Sequence, residues 1–140
     1  MTLPAHITLE IVTPDRPVLH EQVDEVEVPG AEGYFGVLPG HTPLLAALQV
    51  GELWYRKGGE KTFVSIAFGF AEVQPDRVTI LAQIAERADE IDIDRAREEQ
   101  KRAEAQLAKP INTADFERAR VSLLKAISRL NVASRARTRG

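Results

Sequence analysis

Hydrophobic and polar residues alternate along the first part of the chain, up to about Ala85. Ile7, Leu9 and Ile11, for example, are separated by polar residues, and similar short runs recur between Pro, Gly and Asp. A period of two is typical of strands with one buried face, and Pro, Gly and Asp are typical of the turns between them. The sequence therefore predicts an all-β sandwich of about ten short strands over residues 1–87.

Beyond the predicted sandwich, the apolar spacing changes to alternating steps of three and four residues, which is typical of helices. Asp89 or Asp92 is placed to cap a first helix, and Asn112 or Thr113 is placed to cap a second. The short loop between them favours an antiparallel arrangement. The sequence therefore predicts a two-helix hairpin over residues 88–140.

The residues at these steps form a seam between the two helices. The first helix supplies Ile93, Ala96, Gln100, Ala103 and Leu107, and the second supplies Phe116, Ala119, Leu123, Ala126, Leu130 and Ala133. Alanine lets helices approach closely but buries little apolar area, and even a fully buried large side chain contributes only about 1.5–3 kcal/mol. Because ordering the chain costs a similar free energy, we expect a marginal hairpin that is able to open.

Composition narrows the classes of protein to consider. The chain is 44% hydrophobic and 28% charged, as in globular proteins, and no apolar run approaches the roughly 20 residues that span a bilayer. The N-terminus lacks the basic and apolar regions of a signal peptide. Because the chain has no cysteine, disulfides, thiolate catalysis and cysteine-bound zinc are excluded.

Charge is distributed unevenly around a net value of −3. Residues 1–85 carry eleven Asp/Glu and five Lys/Arg, whereas residues 114–140 carry two Asp/Glu and seven Lys/Arg. Two interpretations stay open. The basic C-terminal segment meets an acidic protein surface or a phosphate, or it is a solvated helix face followed by an arginine-rich tail.

The segment PGAEGYFGVLPGHTPLLAAL at residues 29–48 resembles the hallmark segment of the F-type ATP synthase epsilon family. The resemblance continues at residues 67–73, 78–81 and 91–96 and covers nearly the whole chain. It implies a non-catalytic central-stalk subunit whose β-sandwich binds the gamma subunit and stands on the c-ring. It also implies a peripheral location at the cytoplasmic face of a bacterial inner membrane, with membrane association only through the complex.

Three residues match the positions that this family uses near the c-ring and gamma: Glu32, Tyr34 and His41. Their segment is rich in Gly and Pro and carries a carboxylate, an aromatic ring and an imidazole, which suits a contact surface. The alternative is that the aromatic residues belong to the sandwich and the glycines serve turns. We expect Phe35, Val37 and Leu38 to be core residues of the sandwich that alternate with exposed ones.

The family resemblance also implies a regulatory nucleotide site, with no required cofactor. The matching residues are Glu86, Ile91, Asp92, Arg95 and Ala96 around the first helix, and Arg118, Lys125 and Arg129 in the second. Guanidinium groups can bind the phosphates of Mg-ATP, although Lys125 replaces an arginine that is usual in ATP-binding members. The alternative is structural: Asp92 caps the helix and Arg95 pairs with Glu99 one turn later.

A third implication is inhibition of ATP hydrolysis by the opened hairpin. The residues proposed for it are basic side chains of the second helix: Arg118, Arg120, Lys125, Arg129 and Arg135, followed by Arg137 and Arg139. Their expected partners are acidic segments of the catalytic beta and alpha subunits.

Other classes of function find little support in the sequence. His6, His20 and His41 do not have metal-ligand spacing, and no nucleophile lies in a catalytic motif. A nucleic-acid-binding module using the basic helix is the main alternative, but no aromatic residue follows Phe116 to stack on bases. A generic β-sandwich adaptor is the other. We expect no metal site, no nucleic-acid partner and no enzymatic activity of the chain itself.

Overall fold

The computed structural model describes the backbone of residues 3–138 and the side chains of residues 3–135. Within this range the strands are β1 (Ile7–Val12), β2 (Pro17–Val23), β3 (Glu25–Gly30), β4 (Gly33–Val37), β5 (Leu44–Lys57), β6 (Glu60–Gln74) and β7 (Arg77–Arg87). They form one sheet in the order β2-β1-β7-β6-β5-β3-β4. Neighbouring strands are antiparallel except for β1 and β7, which are parallel.

Pairing among the three long strands β5, β6 and β7 is interrupted at one row near the middle. Gln49, Phe68 and Gln83 lie in one row across them and are left out of the ladder. Phe68 has a φ of 61° and Gly69 has a φ of 119°. Core-facing residues of β6 are even-numbered before this point and odd-numbered after it. Because the pairing register is the same on both sides of the row, all three strands reverse their inward and outward faces together. Each long strand therefore supplies two segments, and with the four short strands these correspond to the ten or so strands expected from the sequence.

One hydrophobic core lies inside the folded-over sheet and contains residues from all seven strands. Ile7, Leu9 and Ile11 of β1 are fully buried in it. At its edge, Lys57 Nζ of β5 lies 3.2 Å from Glu21 Oε2 of β2, although these strands are four positions apart in the sheet. The sheet must therefore close back on itself, and the predicted β-sandwich is confirmed.

Two helices follow the sheet after a single 3-10 turn at Ala88–Glu90: α1 (Ile93–Leu107) and α2 (Thr113–Thr138). Asp92 caps α1, because its Oδ1 accepts a hydrogen bond from Arg95 N at 3.1 Å. Asn112 caps α2 by accepting one from Asp115 N at 2.8 Å. The predicted helical hairpin is confirmed, and the capping alternatives are decided in favour of these two residues.

The contact between the helices is made mainly by alanine. The buried alanines are Ala96 and Ala103 of α1 and Ala119, Ala126 and Ala133 of α2. The bulky residue expected at the start of the seam, Phe116, is 44% exposed, so that part of the prediction is wrong. With small side chains in the seam, the helices lie close together but bury little apolar surface.

Gly69→Ala is expected to lower the free energy of unfolding by about 2–4 kcal/mol. Its φ of 119° is rarely adopted by residues with a side chain, and an added Cβ would collide with the carbonyl oxygen of Leu81. Urea unfolding followed by fluorescence of the single tryptophan, Trp54, measures the loss. Gly59→Ala is the matched control, because a Cβ there meets nothing within 4 Å; equal losses in both variants would contradict the argument.

Candidate functional site

Helix α2 docks on the sheet through a buried pair of serines. Ser65 Oγ of β6 and Ser128 Oγ of α2 are 2.8 Å apart, and Ser128 Oγ also donates a hydrogen bond to the carbonyl oxygen of Gly51 at 2.9 Å. Because each hydroxyl has one proton, the Ser65 hydroxyl donates to Ser128. Ser128 is only 2% exposed, so these hydrogen bonds connect the hairpin to β5 and β6 away from water.

Tyr34 supports the strand on which α2 docks. Its hydroxyl accepts a hydrogen bond from Glu52 N at 3.0 Å and lies so close to Gly51 that a Cβ there would overlap it. Burial raises the pKa of the Tyr34 hydroxyl above its ordinary value, and the hydrogen bond from Glu52 N partly offsets that effect. Glu52 Oε1 in turn accepts a hydrogen bond from Asn131 Nδ2 of α2 at 3.3 Å. Tyr34 is therefore linked to the docked helix through one residue, Glu52.

Arg129 joins α2 to both α1 and the sheet. Its Nε lies 2.8 Å from Glu86 Oε1 of β7, and its Nη1 donates to Glu99 Oε2 of α1 at 3.2 Å. The Nε–H is not aligned with a partner, but Nη2 donates a long hydrogen bond to Glu86 Oε2 at 3.5 Å, so the contact with Glu86 combines an ion pair with one hydrogen bond. Since the Arg129 side chain is only 15% exposed, water screens these charges less than it screens surface pairs.

Glu99 has a second arginine partner. Its Oε1 accepts a hydrogen bond from Arg95 Nε at 3.1 Å, one helical turn earlier. The structural alternative for Asp92 and Arg95, a helix cap and a pair with Glu99, is therefore confirmed. Arg95 and Arg129 are both among the predicted phosphate ligands, and in the structure one carboxylate contacts both.

A small cavity of about 130 Å³ lies beside these groups. It is lined by Val50, Ser65, Ala67, Ile84, Glu86, Glu99, Lys125 and Arg129. Lys125 Nζ is also 5.8 Å from the centroid of the Phe68 ring. The cavity is smaller than the roughly 300–1,000 Å³ of typical small-molecule sites.

The structure gathers only some of the residues predicted for nucleotide binding. Glu86, Lys125 and Arg129 line the same cavity, whereas Asp92 and Arg95 line a neighbouring depression on α1. Ile91 and Ala96 are buried. Arg118 is exposed in the first turns of α2, 3.6 Å from Asp115, and does not line either cavity. Nucleotide binding stays a prediction.

The predicted contact segment forms β4 and its two turns. Glu32 is exposed in the turn that enters β4. His41 lies in the turn that follows, where its Nδ1 is 2.6 Å from the carbonyl oxygen of Thr42. Among the described residues no hydrogen bond or ion pair joins Glu32, Tyr34 and His41. Phe35 packs against the core as expected, but Leu38 is 55% exposed, so its assignment to the core is wrong.

The basic residues of α2 differ in their surroundings. Arg118 and Arg120 are exposed and pair with Asp115 and Glu117 on their own helix. The guanidinium of Arg135 lies 4.6 Å from the Phe63 ring centroid, and Lys125 and Arg129 face the sheet. Arg139 lies outside the described residues, as does the side chain of Arg137.

Sequence reasoning missed the serine pair. Ser65 and Ser128 are 63 positions apart, and an isolated serine in a strand or helix usually faces water. The sequence contains one signal: Ser128 and Val132 are one turn apart on a face of α2 that differs from the alanine face. The structure buries both residues. A second small and apolar stripe indicates that a helix packs on two neighbours.

A metal site and a membrane-spanning helix are both absent from the residues that the structure describes. No group of three His, Asp or Glu is placed to hold a metal ion. No helix combines the length and apolar character that crossing a bilayer requires.

Two protein-family models match the chain. The first, described as the beta-sandwich domain of the ATP synthase delta/epsilon chain, matches residues 6–88, and the second, described as the long alpha-helix domain of the same chain, matches residues 89–134.

Individual relatives give a similar result. An ATP synthase epsilon chain from Nitratidesulfovibrio vulgaris is 52% identical over 128 residues, which are 91% of this chain and 96% of that relative. One from Syntrophobacter fumaroxidans is 53% identical over 129 residues, 92% of this chain and 96% of the relative. A chain in a structure of the Euglena gracilis mitochondrial ATP synthase (OSCP, F1 and c-ring) superposes with a TM-score of 0.82 at 28% identity, covering 96% of this chain and 84% of that one.

Ser128→Ala is expected to loosen the docked α2 by about 1–3 kcal/mol, because it leaves the Gly51 carbonyl and the Ser65 hydroxyl without their buried partner. The rate of tryptic cleavage at Lys125 measures the population of the loosened state. Ser122→Ala, at an exposed position of the same helix, is the control and should leave the rate unchanged. Equal cleavage rates in the two variants would rule out a docking role for the pair.

Proposed function

The chain belongs to the ATP synthase delta/epsilon family as a non-catalytic epsilon chain, and we propose that its hairpin inhibits ATP hydrolysis by leaving the sheet. The observation that carries this proposal is the way α2 is held. It has an alanine seam with α1, hydrogen bonds to Ser65 and Gly51, the ion pairs of Arg129, and one small apolar cluster of Val132 with Ile91 and Phe63. Contacts of this kind can be exchanged for others at a modest cost in free energy, since water or another protein can satisfy the same polar groups.

Opening would also change the charge that α2 presents. Lys125 and Arg129 now face the sheet, whereas Arg118 and Arg120 are exposed. Once released, all four would lie on one extended helix together with Arg135. Such a helix suits acidic segments of the catalytic beta and alpha subunits, and its binding there would block rotation in the hydrolysis direction.

The outer face of the sandwich supports a separate proposal about partners. Phe70 of β6 and Leu81 of β7 are direct neighbours in the ladder and are 55% and 54% exposed. Ala47 and Val12 extend this row onto β5 and β1. An apolar row across four strands is typical of a protein interface. We assign it to the gamma subunit and assign the turns with Glu32 and His41 to the c-ring, so that the chain is peripheral to the cytoplasmic face of a bacterial inner membrane through the complex.

Locking the hairpin closed is expected to remove the inhibition. The two serine oxygens are 2.8 Å apart, so the double variant Ser65→Cys with Ser128→Cys should form a disulfide, and the chain has no other cysteine. In the assembled complex, oxidation should raise ATP hydrolysis by about fivefold or more, the lower end of allosteric coupling, and reductant should reverse the change.

Controls for the lock are the single variant Ser128→Cys and a chain that ends at Ala88. Deleting residues 89–140 should give the same activated hydrolysis without preventing assembly, because the sheet that would hold the chain in the complex stays intact. Hydrolysis that is equal in the oxidised, reduced and truncated complexes would overturn the inhibitory role.

Phe70→Ser and Leu81→Ser are each expected to weaken binding to gamma by about tenfold, because each removes a large apolar side chain from the proposed interface. Titration of isolated gamma with the full chain measures the affinity. Phe116→Ser is the matched control, since this phenylalanine is similarly exposed but lies on α2. A similar loss in all three variants, or none in the first two, would argue against this surface.

A further inference from the structure

Glu99 occupies a central position among the charged groups that hold the hairpin closed. Each of its carboxylate oxygens has its own arginine: Oε1 accepts from Arg95 Nε at 3.1 Å, and Oε2 accepts from Arg129 Nη1 at 3.2 Å. Arg95 and Glu99 belong to α1, whereas Arg129 belongs to α2. Glu99 therefore connects the helices in the way a bound anion would, with one oxygen for each guanidinium.

The formal charges of this cluster add up to zero. Arg129 faces Glu86 as well as Glu99, and Arg95 supplies the second positive charge. A phosphate group entering here would meet two carboxylates, and it would compete with Glu99 for Arg95 Nε and Arg129 Nη1. Lys125 is the remaining cation of the cavity, and it extends towards the ring of Phe68.

We infer that Glu99 is an internal ligand of Arg95 and Arg129 that keeps the hairpin closed without a bound nucleotide. The inference rests on the proposed function, since it concerns the closed state of the same hairpin. It assigns to Mg-ATP the role of a competitor of Glu99 for these arginines, so that nucleotide is not required for closure. The cavity of about 130 Å³ beside Arg129 is small for a triphosphate, whereas the depression of about 460 Å³ beside Arg95 and Glu99 has room for a competing anion.

The burial of the two arginines determines how much each ion pair with Glu99 stabilises the closed hairpin. An exposed ion pair contributes little because water screens it, and the Arg95 side chain is 71% exposed. Arg129 differs, since its side chain is only 15% exposed. Removing the Glu99 charge leaves Nη1 of this poorly hydrated guanidinium without an ionised acceptor and gives the cluster a net positive charge, which favours the open state.

Hydrogen exchange of the full chain without other subunits tests the inference. Glu99→Gln, which keeps the shape but removes the charge, is expected to speed exchange of α2 amides between residues 119 and 133 by about tenfold in the absence of nucleotide. Glu98→Gln is the matched control, because Glu98 is exposed on the same helix turn, and its exchange should equal that of the wild type. Mg-ATP should leave wild-type exchange unchanged and should slow exchange in Glu99→Gln.

Amides of β1 report whether a variant keeps its fold, and they should stay protected throughout. Arg95→Gln is a second variant on the exposed side of the cluster and should speed exchange of the same α2 amides by a smaller factor. The inference is overturned if Glu99→Gln exchanges like Glu98→Gln, or if Mg-ATP slows wild-type exchange several-fold. A failure of the proposed function gives a different outcome. In that case truncation leaves ATP hydrolysis unchanged, but Glu99→Gln still speeds hydrogen exchange of α2.

Discussion

The reversal of the inward and outward faces of β5, β6 and β7 at one unpaired row is the constraint on which the rest of the structure depends. Because the core-facing positions of β6 change from even to odd numbers at Phe68, the outer surface of the sheet has two different characters. Before this row, β6 turns the small residues Ser65 and Ala67 outwards, and α2 covers them. After it, β6 turns Phe70 outwards, and this ring stays 55% exposed. A helix can approach the first half closely, and the second half offers the apolar surface that a protein partner needs.

Small side chains also form the contacts of the hairpin, so its helices lie close together without being held strongly. Alanines bring α1 and α2 together, and Ser128 brings α2 onto the sheet. Val132 adds a small apolar cluster with Ile91 and Phe63, but these contacts together bury little apolar area, so polar and charged groups contribute strongly to the closed form. Arg129 contributes to two contacts, because it pairs with Glu99 of α1 and with Glu86 of β7.

The sequence predicted the parts of the fold that depend on local periodicity. The change from alternation to helical spacing and the caps at Asp92 and Asn112 are local signals, and the structure confirms them. The continuous long strands could not be predicted, because a reversal of the buried face at Phe68 gives the same sequence pattern as a strand end. The serine pair and the contact between Glu99 and Arg129 could not be predicted either, since each joins positions that only the folded chain brings together. The pair of Arg95 and Glu99 was foreseen, because one helical turn fixes its distance.

The docking face of the sheet has a consequence for repeated cycles of opening and closing. When α2 leaves, it uncovers Ser65, Ala67 and the carbonyl oxygen of Gly51. Water can hydrate the hydroxyl and the carbonyl at once, and a methyl group adds little apolar surface. This part of the uncovered sheet is thus a poor nucleus for self-association, whereas larger apolar side chains are exposed where Val132 leaves Phe63 and Ile91. A larger apolar docking face would hold the helix more firmly, but each release would leave a surface prone to aggregate before the helix returned.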